Sequence, residues 1–298
     1  MRSLLAATLT SHLVDDPKPL GAVAWRKLRE LVIDAPDPDS LARLVEKRLP
    51  ADAAAVLARL ALLDRMEQLL DTLRNDGVEV LSEFDETYPR RLIQRLGGKH
   101  PPLFFVSGSR TLLNADTIGV VGSRDIDDNG KAFARAIADE AVSRNMAIVS
   151  GGARGVDLEA MRAAVDAGGA TIGFLADSLV TLARRPQMQQ FLEDGRICLA
   201  TSFSPTAGFQ VGNAMSRNKY IYAHSQATVV VSSAAGTGGT WAGAVEALDK
   251  RLCTVLVRAC PAAGNVELAR RGATTITAPA ELWAQLRENE APVQGVLF

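Results

Sequence analysis

The sequence predicts an α/β fold in which a doubly wound and mostly parallel sheet follows a small all-helical domain. Short apolar runs alternate with helical patterns from residue 77 to residue 285, and three of these runs end in a glycine-rich turn. Strands that alternate with helices of this length form βαβ units, and their right-handed connections place helices on both faces of a parallel sheet. We therefore predict a helical domain at 1–76, a doubly wound α/β domain at 77–285 and a tail at 286–298.

The bulk composition limits the classes of function. The chain has 298 residues, 47% of them hydrophobic, and a formal net charge of −1. A protein this close to neutral does not coat DNA over its whole surface, so any nucleic-acid contact must use a local basic patch. The three cysteines fit neither a disulfide framework nor a metal site, so we expect a reducing compartment, no metal and no cofactor. No apolar run reaches the roughly 18 residues of a membrane span, so we expect a cytoplasmic protein that does not engage a membrane.

The first region alternates helical patterns with proline-marked turns. Apolar side chains at Trp25, Leu28, Leu31 and Val32 share one helical face, as expected for a core stripe. Asp39 and Ser40 are expected to cap one helix, and Asp52 to open another that runs through Leu73. No residue pattern in this region indicates a chemical function.

The second region supplies the strands and helices of the sheet. Strand candidates lie at 78–81, 103–106, 117–121, 147–150, 171–175, 197–200, 229–231 and 253–257. Helical patterns lie at 92–96, 129–144, 155–167, 187–193, 215–224, 240–249, 265–271 and 279–289. This regular alternation predicts one large α/β domain.

Three glycine-rich turns follow strand candidates and precede helical patterns. Ligands of open parallel sheets bind outside the carboxyl ends of the strands, where backbone N–H groups and helix dipoles favour an anion. An arginine fork in such a turn can hold a phosphate through two hydrogen bonds. The turns therefore predict a phosphate-binding crevice whose candidate ligands are Gly122, Ser123, Arg124, Gly151, Gly152, Arg154, Gly238, Gly239 and Thr240.

A fourth segment, Arg217-Asn218-Lys219, would add two positive charges to the same crevice. Each segment alone also fits a simpler interpretation, a tight turn or helix start with solvated cations. Asp157 is interpreted as a helix cap rather than a catalytic carboxylate, because no second acid or base is related to it. The chain has no Gly-x-Gly-x-x-Gly fingerprint, no Gly-Lys-Ser/Thr phosphate loop and no nucleophile–base pair. We therefore expect a phosphate binder that is not an enzyme.

The ordered set of motifs resembles the DNA-processing protein A family, also called Smf. The resemblance rests on Tyr88-Pro89, Pro101-Pro-Leu-Phe104, Val121-Gly-Ser-Arg124, Ser150-Gly-Gly-Ala-Arg-Gly-Val-Asp157, Ala167-Gly-Gly169, Arg217-Asn-Lys219, Gly239-Thr240 and Gly264-Asn265. It implies an extended Rossmann-like domain that binds single-stranded DNA. In the family, the arginine of Gly-Ser-Arg and basic residues near the Arg-Asn-Arg segment form the DNA pocket. It also implies a homodimer that loads a RecA-type recombinase onto incoming DNA during natural transformation and recombination.

Several departures from the family pattern point to a divergent member of the superfamily that also contains the LOG-type phosphoribohydrolases. Thr201-Ser202 replaces Ser-Glu, Ala214-Met-Ser216 stands where Phe-Pro is expected, Ser233-Ala234 replaces Glu-Ala, and Lys219 replaces the second arginine. We expect no winged-helix domain after the sheet.

An alternative function within the same superfamily is a sensor of a nucleotide-derived ligand, for example in phage defence. Hydrolysis of the LOG type is disfavoured because Gly243 occupies the place expected for its glutamate. The tail Gln294–Phe298 is similar to the Gln-x-x-Leu-Phe peptide that docks on the bacterial sliding clamp, although a frayed apolar terminus has the same pattern.

Overall fold

The computed structural model describes residues 1–290, which form two compact units. Unit 1 consists of residues 1–114 and 175–217, and unit 2 of residues 115–174 with the chain from Asn218 onward. The Gln294–Phe298 peptide lies outside the described residues. The predicted α/β class, with a mostly parallel sheet and N-terminal helices, is confirmed. The domain boundaries drawn at 76 and 285 stay predictions.

Residues 1–290 contain 14 α-helices and nine strands. The helices are α1 (Arg2–Thr10), α2 (Ala22–Asp34), α3 (Pro38–Arg48), α4 (Pro50–Leu60), α5 (Leu63–Asn75), α6 (Arg90–Leu96), α7 (Asp128–Ser143), α8 (Val156–Asp166), α9 (Leu179–Ala183), α10 (Pro186–Glu193), α11 (Val211–His224), α12 (Gly238–Lys250), α13 (Ala263–Arg270) and α14 (Glu281–Glu290). The strands are β1 (Glu79–Ser82), β2 (Leu103–Gly108), β3 (Thr117–Val121), β4 (Ala147–Ser150), β5 (Thr171–Phe174), β6 (Ile197–Thr201), β7 (Ala227–Val230), β8 (Thr254–Arg258) and β9 (Thr274–Ile276). None of these helices is long and apolar enough to span a membrane.

The helices of unit 1 bury the predicted apolar stripe of α2, including Trp25 and Leu28. Two helix starts differ from the prediction. Asp37, rather than Asp39 and Ser40, caps α3, because its side chain accepts a hydrogen bond from the Ser40 N–H and Pro38 supplies the fixed φ of the first turn. The helix predicted to run from residue 52 through 73 is two helices, since the apolar period continues across the break between α4 and α5 and hides it.

A buried arginine organises the segment that follows α1. The Arg59 side chain is fully buried and donates to four backbone carbonyls. Its Nε donates to Thr8 O (2.6 Å), Nη1 to Val14 O (2.6 Å) and Pro17 O (2.8 Å), and Nη2 to Ser11 O (3.1 Å). One side chain therefore satisfies carbonyls that have no partner in a helix or sheet.

Unit 1 also contains antiparallel strands, in the order β1-β2-β6. Unit 2 contains six strands in the order β5-β4-β3-β7-β8-β9, paired in parallel. From β3 the chain moves outward through β4 to β5, and later from β7 through β8 to β9. Right-handed crossovers in these two directions place α7 and α8 on one face and α12 and α13 on the other. The three-residue strand β9 was not predicted because so short a run carries no periodicity.

The strand order of unit 2 reverses between β3 and β7, which is where open α/β sheets bind ligands. The core beneath this point is built from the strands and from small residues of α7 and α8. Buried members of one cluster include Ile118, Ile148 and Val229 from the strands and Ala138 and Ala164 from the helices. The alanines allow α7 and α8 to approach each other closely, so loops that follow β3 and β4 are neighbours.

Candidate functional site

The turn after β3 is shaped by close packing and by its own hydrogen bonds. A Cβ on Gly122 would lie 2.5 Å from Cγ2 of Val156, so only glycine fits there. The Ser123 N–H donates to Ser232 O (2.9 Å), and the Asp125 N–H donates to the Ser123 Oγ (3.1 Å). The Ser123 hydroxyl therefore orders the loop while keeping its own proton to donate. Arg124 follows it and is exposed.

The turn after β4 is closed by a buried carboxylate. The Gly151 N–H donates to Oδ2 of Asp157 (3.2 Å), whose residue is only 6% exposed. The helix cap of α8 is Gly155, with no side-chain hydrogen bond, so the predicted capping role of Asp157 is wrong. The carboxylate turns back to the strand end instead, because the buried N–H there needs an acceptor. Gly152, with φ +67°, lets the chain reverse between them.

The two turns touch each other at Gly155. This residue has φ +90°, and a Cβ on it would lie 2.3 Å from Ser123 O and 2.6 Å from Arg124 O. The contact is between backbones, so a side chain at this position would push the two turns apart. The glycine therefore fixes the distance between the loops that carry Arg124 and Arg154.

Arg124 and Arg154 line one open cleft of about 400 Å³ in unit 2. The complete lining is Arg124, Asp125, Ile126, Lys131, Arg154, Gly155, Leu158, Glu159 and Arg162. Its charged members are four cations and two acids, which gives the cleft an excess of positive charge. Arg154 is paired with Asp125 at 2.9 Å, but both side chains are exposed, at 77% and 88%, so the pair is weak and open to exchange.

Two cations of the cleft, Lys131 and Arg162, were not among the predicted site residues. Lys131 lies in the first turn of α7, and a hydrogen bond from its ammonium to Asp128 holds its pKa above the usual range. Arg162 lies on α8, eight residues after Arg154. It shares a helical face with Leu158, which also lines the cleft, but the predicted residue Arg154 precedes the helix, so no helical spacing from it identifies Arg162.

The start of α12 brings the third turn to the same edge. Thr240 Oγ1 donates to Gly122 O (3.1 Å), and the Asn218 Nδ2 donates to Gly239 O (2.7 Å). A Cβ on Gly239 would lie 2.9 Å from that Asn218 nitrogen. The predicted residues Thr240, Asn218 and Gly239 therefore hold α11 and α12 against the β3 turn. Gly238, with φ +85°, precedes this contact.

The cations of α11 differ from those of the cleft. Lys219 is half-buried, with Nζ 5.2 Å from the ring centroid of Tyr220, and it does not line the cleft. Arg217 belongs to unit 1 and its residue is 6% exposed. Of the four cations predicted to converge, the structure thus brings Arg124 and Arg154 into one cleft.

Two observations within residues 1–290 disfavour metal binding and thiolate chemistry at the residues concerned. No group of three or more His, Cys, Asp or Glu side chains in this part of the chain could hold a metal ion. His224 is buried, and its Nδ1 lies 3.1 Å from the hydroxyl of Thr117, which is a structural setting. Complete burial raises the pKa of the Cys198 thiol, which disfavours a thiolate.

Comparisons with known proteins identify the relatives of this architecture. The sequence profile of the family described as DNA recombination-mediator protein A matches residues 79–287. Protein Smf of Escherichia coli is 28% identical over 176 residues, which cover 58% of this chain and 46% of that protein. The chain thus spans about half the length of that curated relative.

Two solved structures resemble the whole chain or most of it. DNA processing protein A of Streptococcus pneumoniae superposes with a TM-score of 0.72 at 19% identity, covering 96% of this chain and 98% of that one. The Helicobacter pylori protein, solved for its single-stranded DNA binding mode, superposes with a TM-score of 0.58 at 20% identity and covers 71% of this chain and 96% of its own. At these identities the likeness is one of fold, and at 96% coverage it includes N-terminal helices that the profile does not match.

Proposed function

The chain belongs to the DNA recombination-mediator protein A family, and we propose that it binds single-stranded DNA during the processing of incoming DNA. The observation that carries the proposal is the open cleft in which the strand-turn arginines Arg124 and Arg154 lie together. Support comes from the DNA processing proteins that share its fold, one of them described as binding single-stranded DNA.

The chemistry of the cleft suits a sugar–phosphate backbone. Exposed guanidinium groups can each grip a phosphate through two hydrogen bonds, and their affinity depends on salt because binding releases counterions. Because the net charge of the chain is −1, electrostatic attraction of DNA has to come from this local excess of cations. Binding of this kind needs no general base or metal, so we propose that the protein holds the strand without cleaving it.

Fluorescence anisotropy with a labelled oligothymidine tests the site. Arg124→Ala removes a bidentate phosphate contact and is expected to weaken binding roughly tenfold, since a hydrogen bond to a charged group contributes about 1.5–3 kcal/mol. Arg154→Ala is expected to weaken it less, because Asp125 already neutralises part of its charge. Lys219→Ala measures whether the Arg217–Lys219 segment contributes as the family resemblance implies.

Arg270→Ala is the matched control. Arg270 is an exposed cation of the same unit at the last turn of α13, and helices that follow parallel strands end at the opposite edge of the sheet. The control should bind as the unchanged protein does, with equal thermal unfolding for all variants. Unchanged binding by Arg124→Ala and Arg154→Ala together would show that DNA does not use this cleft.

We further propose that the protein acts as a homodimer that passes single-stranded DNA to a RecA-type recombinase, as the family resemblance implies. Sedimentation of the protein alone measures the oligomeric state. Pull-down with purified recombinase, with and without oligothymidine, measures the transfer complex. Pull-down with the sliding clamp, using the chain with and without Leu297 and Phe298, tests the terminal peptide.

A nucleotide sensor is the second candidate, and the size of the cleft favours it. A volume of about 400 Å³ lies within the range of small-molecule sites, and its cations would hold a phosphate group. Calorimetry with mononucleotides and with oligothymidine separates the two functions. Saturable binding of a nucleotide, with no heat from the oligonucleotide, would replace DNA binding by ligand sensing.

A further inference from the structure

The outer surface of α7 and α8 carries a row of cations that continues away from the strand turns. The two helices pack through alanines, including Ala134 and Ala138 on α7 and Ala160 and Ala163 on α8. Small residues at the contact bring the helix axes close together, so side chains along the groove between them are within reach of one ligand. The cleft lining confirms this, since it includes residues of both helices.

One side of the groove is lined by Leu158, which lies between Arg154 and Arg162 in the sequence. Leu158 and Arg162 lie four residues apart on α8, which separates them by about 6 Å along one helical face, and Arg154 lies in the turn just before the helix. Leu158 is 52% exposed, so its apolar side chain is accessible to a ligand in the groove. The leucine therefore offers an apolar face between the turn arginine and Arg162.

The other side of the groove is Lys131 on α7. Its side chain is 47% exposed and is held in place by Asp128, which itself is almost fully in solvent. Glu159, the acid of α8 that lines the cleft, is already paired with Arg135. Within residues 1–290 the Arg162 side chain has no hydrogen-bond or ion-pair partner. The groove thus holds two cations, Lys131 and Arg162, that are available to an anion.

We propose that single-stranded DNA bound at the strand turns continues along the α7–α8 groove, with phosphates on Lys131 and Arg162 and a base face on Leu158. The inference rests on the proposed function and adds a direction to it. The turn site would hold the first nucleotides and the groove the following ones, so the groove residues contribute most when the strand is long enough to run along the groove. Base contact by an aliphatic side chain is independent of sequence, because every base has an apolar face.

Strand length separates the two parts of the path. The double variant Lys131→Ala/Arg162→Ala is titrated with oligothymidines of about four and about 16 nucleotides, the range of single-stranded binding sites. Both cations line the cleft, so we expect the short strand to bind about threefold more weakly than to the unchanged protein, and the long strand roughly thirtyfold more weakly. Loss of two phosphate contacts should also reduce the salt slope for the long strand by about 1.4, at about 0.7 per contact.

The matched control is Lys250→Ala/Arg270→Ala, which removes the same charge from the last turns of α12 and α13. It should leave both affinities unchanged. If the Lys131→Ala/Arg162→Ala variant loses affinity equally for both strand lengths, or loses none, the proposed path along the groove is wrong. Failure of Arg124→Ala to affect either length, with the groove variant still selective for the long strand, would overturn the turn site and retain the groove. No binding by the unchanged protein would overturn both.

Leu158→Trp reports base contact directly. An indole at this exposed position should be quenched when the long oligothymidine binds and much less when the short one binds. Val266→Trp is the control, because Val266 is 43% exposed and lies on α13, which follows β8 rather than β4. Quenching of both indoles to the same degree, or of neither, would show that no base lies against Leu158.

Discussion

Arginine serves opposite purposes in the two units. In unit 1, Arg59 is fully buried and its guanidinium donates hydrogen bonds to four backbone carbonyls. In unit 2, Arg124 and Arg154 are exposed on glycine turns, and Asp125, the acid paired with Arg154, is itself 88% exposed. The first arrangement stabilises the fold and is unavailable to a ligand, whereas the second contributes little to stability and is open to a phosphate. The surroundings of a cation therefore decide its role.

Arg59→Ala should show the largest effect. It leaves four carbonyls without their donor and removes a fully buried side chain, so the free energy of unfolding should fall by about 3–5 kcal/mol. Urea unfolding followed by circular dichroism measures it. Arg59→Met restores volume without donors and should remain destabilised, whereas Arg43→Ala, at an exposed site of α3, should change stability by less than about 0.5 kcal/mol. A small effect of Arg59→Ala would remove the contrast between the units.

Gly155→Ala should affect both stability and binding. The added Cβ meets the backbone of Ser123 and Arg124 at a φ that favours glycine, which should cost about 2–4 kcal/mol and displace the Arg124 loop. Gly168→Ala is the control for backbone conformation alone, since its φ is +80° and no atom lies within 4 Å of the added Cβ. That variant should cost about 1 kcal/mol and bind oligothymidine normally. Equal effects of the two variants would mean that the turns are not locked together.

Asp157→Ala should have an intermediate effect. It removes the acceptor of the buried Gly151 N–H and should lower the free energy of unfolding by about 1–3 kcal/mol. Hydrogen exchange at Gly151 should accelerate more than global unfolding accounts for. Asp166→Ala, which removes an exposed carboxylate from the end of the same helix, is the control and should be nearly neutral. Slow exchange at Gly151 in the variant would contradict the closure of the turn by Asp157.

Asp125→Asn should have the smallest effect and the opposite sign. Asp125 forms an ion pair with Arg154 and so competes with a DNA phosphate for it. Removing the charge of Asp125 should tighten oligothymidine binding about twofold, in keeping with the small energy of an exposed ion pair. Asp249→Asn changes the net charge equally at an exposed position of α12 and should have no effect. Weaker binding by Asp125→Asn would mean that this acid positions Arg154 rather than competing for it.

Much of the fold was predictable because its signals are local. The alternation of apolar runs and helical patterns predicted eight of the nine strands within residues 1–290. Strand β9 was not predicted because a run of three residues shows no hydrophobic periodicity. The break between α4 and α5 was not predicted because the same apolar periodicity continues through both helices. The antiparallel pairing of β1, β2 and β6 was not specified by the pattern, since pairing partners are chosen by contacts distant in sequence.

The site residues could be predicted where they belong to a glycine-rich turn, but not where they lie on the surface of a helix. Gly122–Arg124 and Gly151–Arg154 directly follow predicted parallel strands, and the carboxyl ends of such strands meet at one edge of the sheet. Lys131 and Arg162 resemble ordinary solvated cations until the packing of α7 against α8 places them on one cleft. Asn218 and Thr240 were predicted as phosphate ligands, and their hydrogen bonds to Gly239 and Gly122 give them a positioning role that no sequence pattern reveals.

Residue order within short segments was enough to establish the α/β class, the glycine turns at the strand ends and the family. The tertiary structure decided which charges face solvent. Arg59 and Arg217 are buried, while Arg124 and Arg154 are exposed, although all four are arginines in or beside helical patterns. Exposure depends on which distant segments cover a side chain, and that information exists only once the chain has folded.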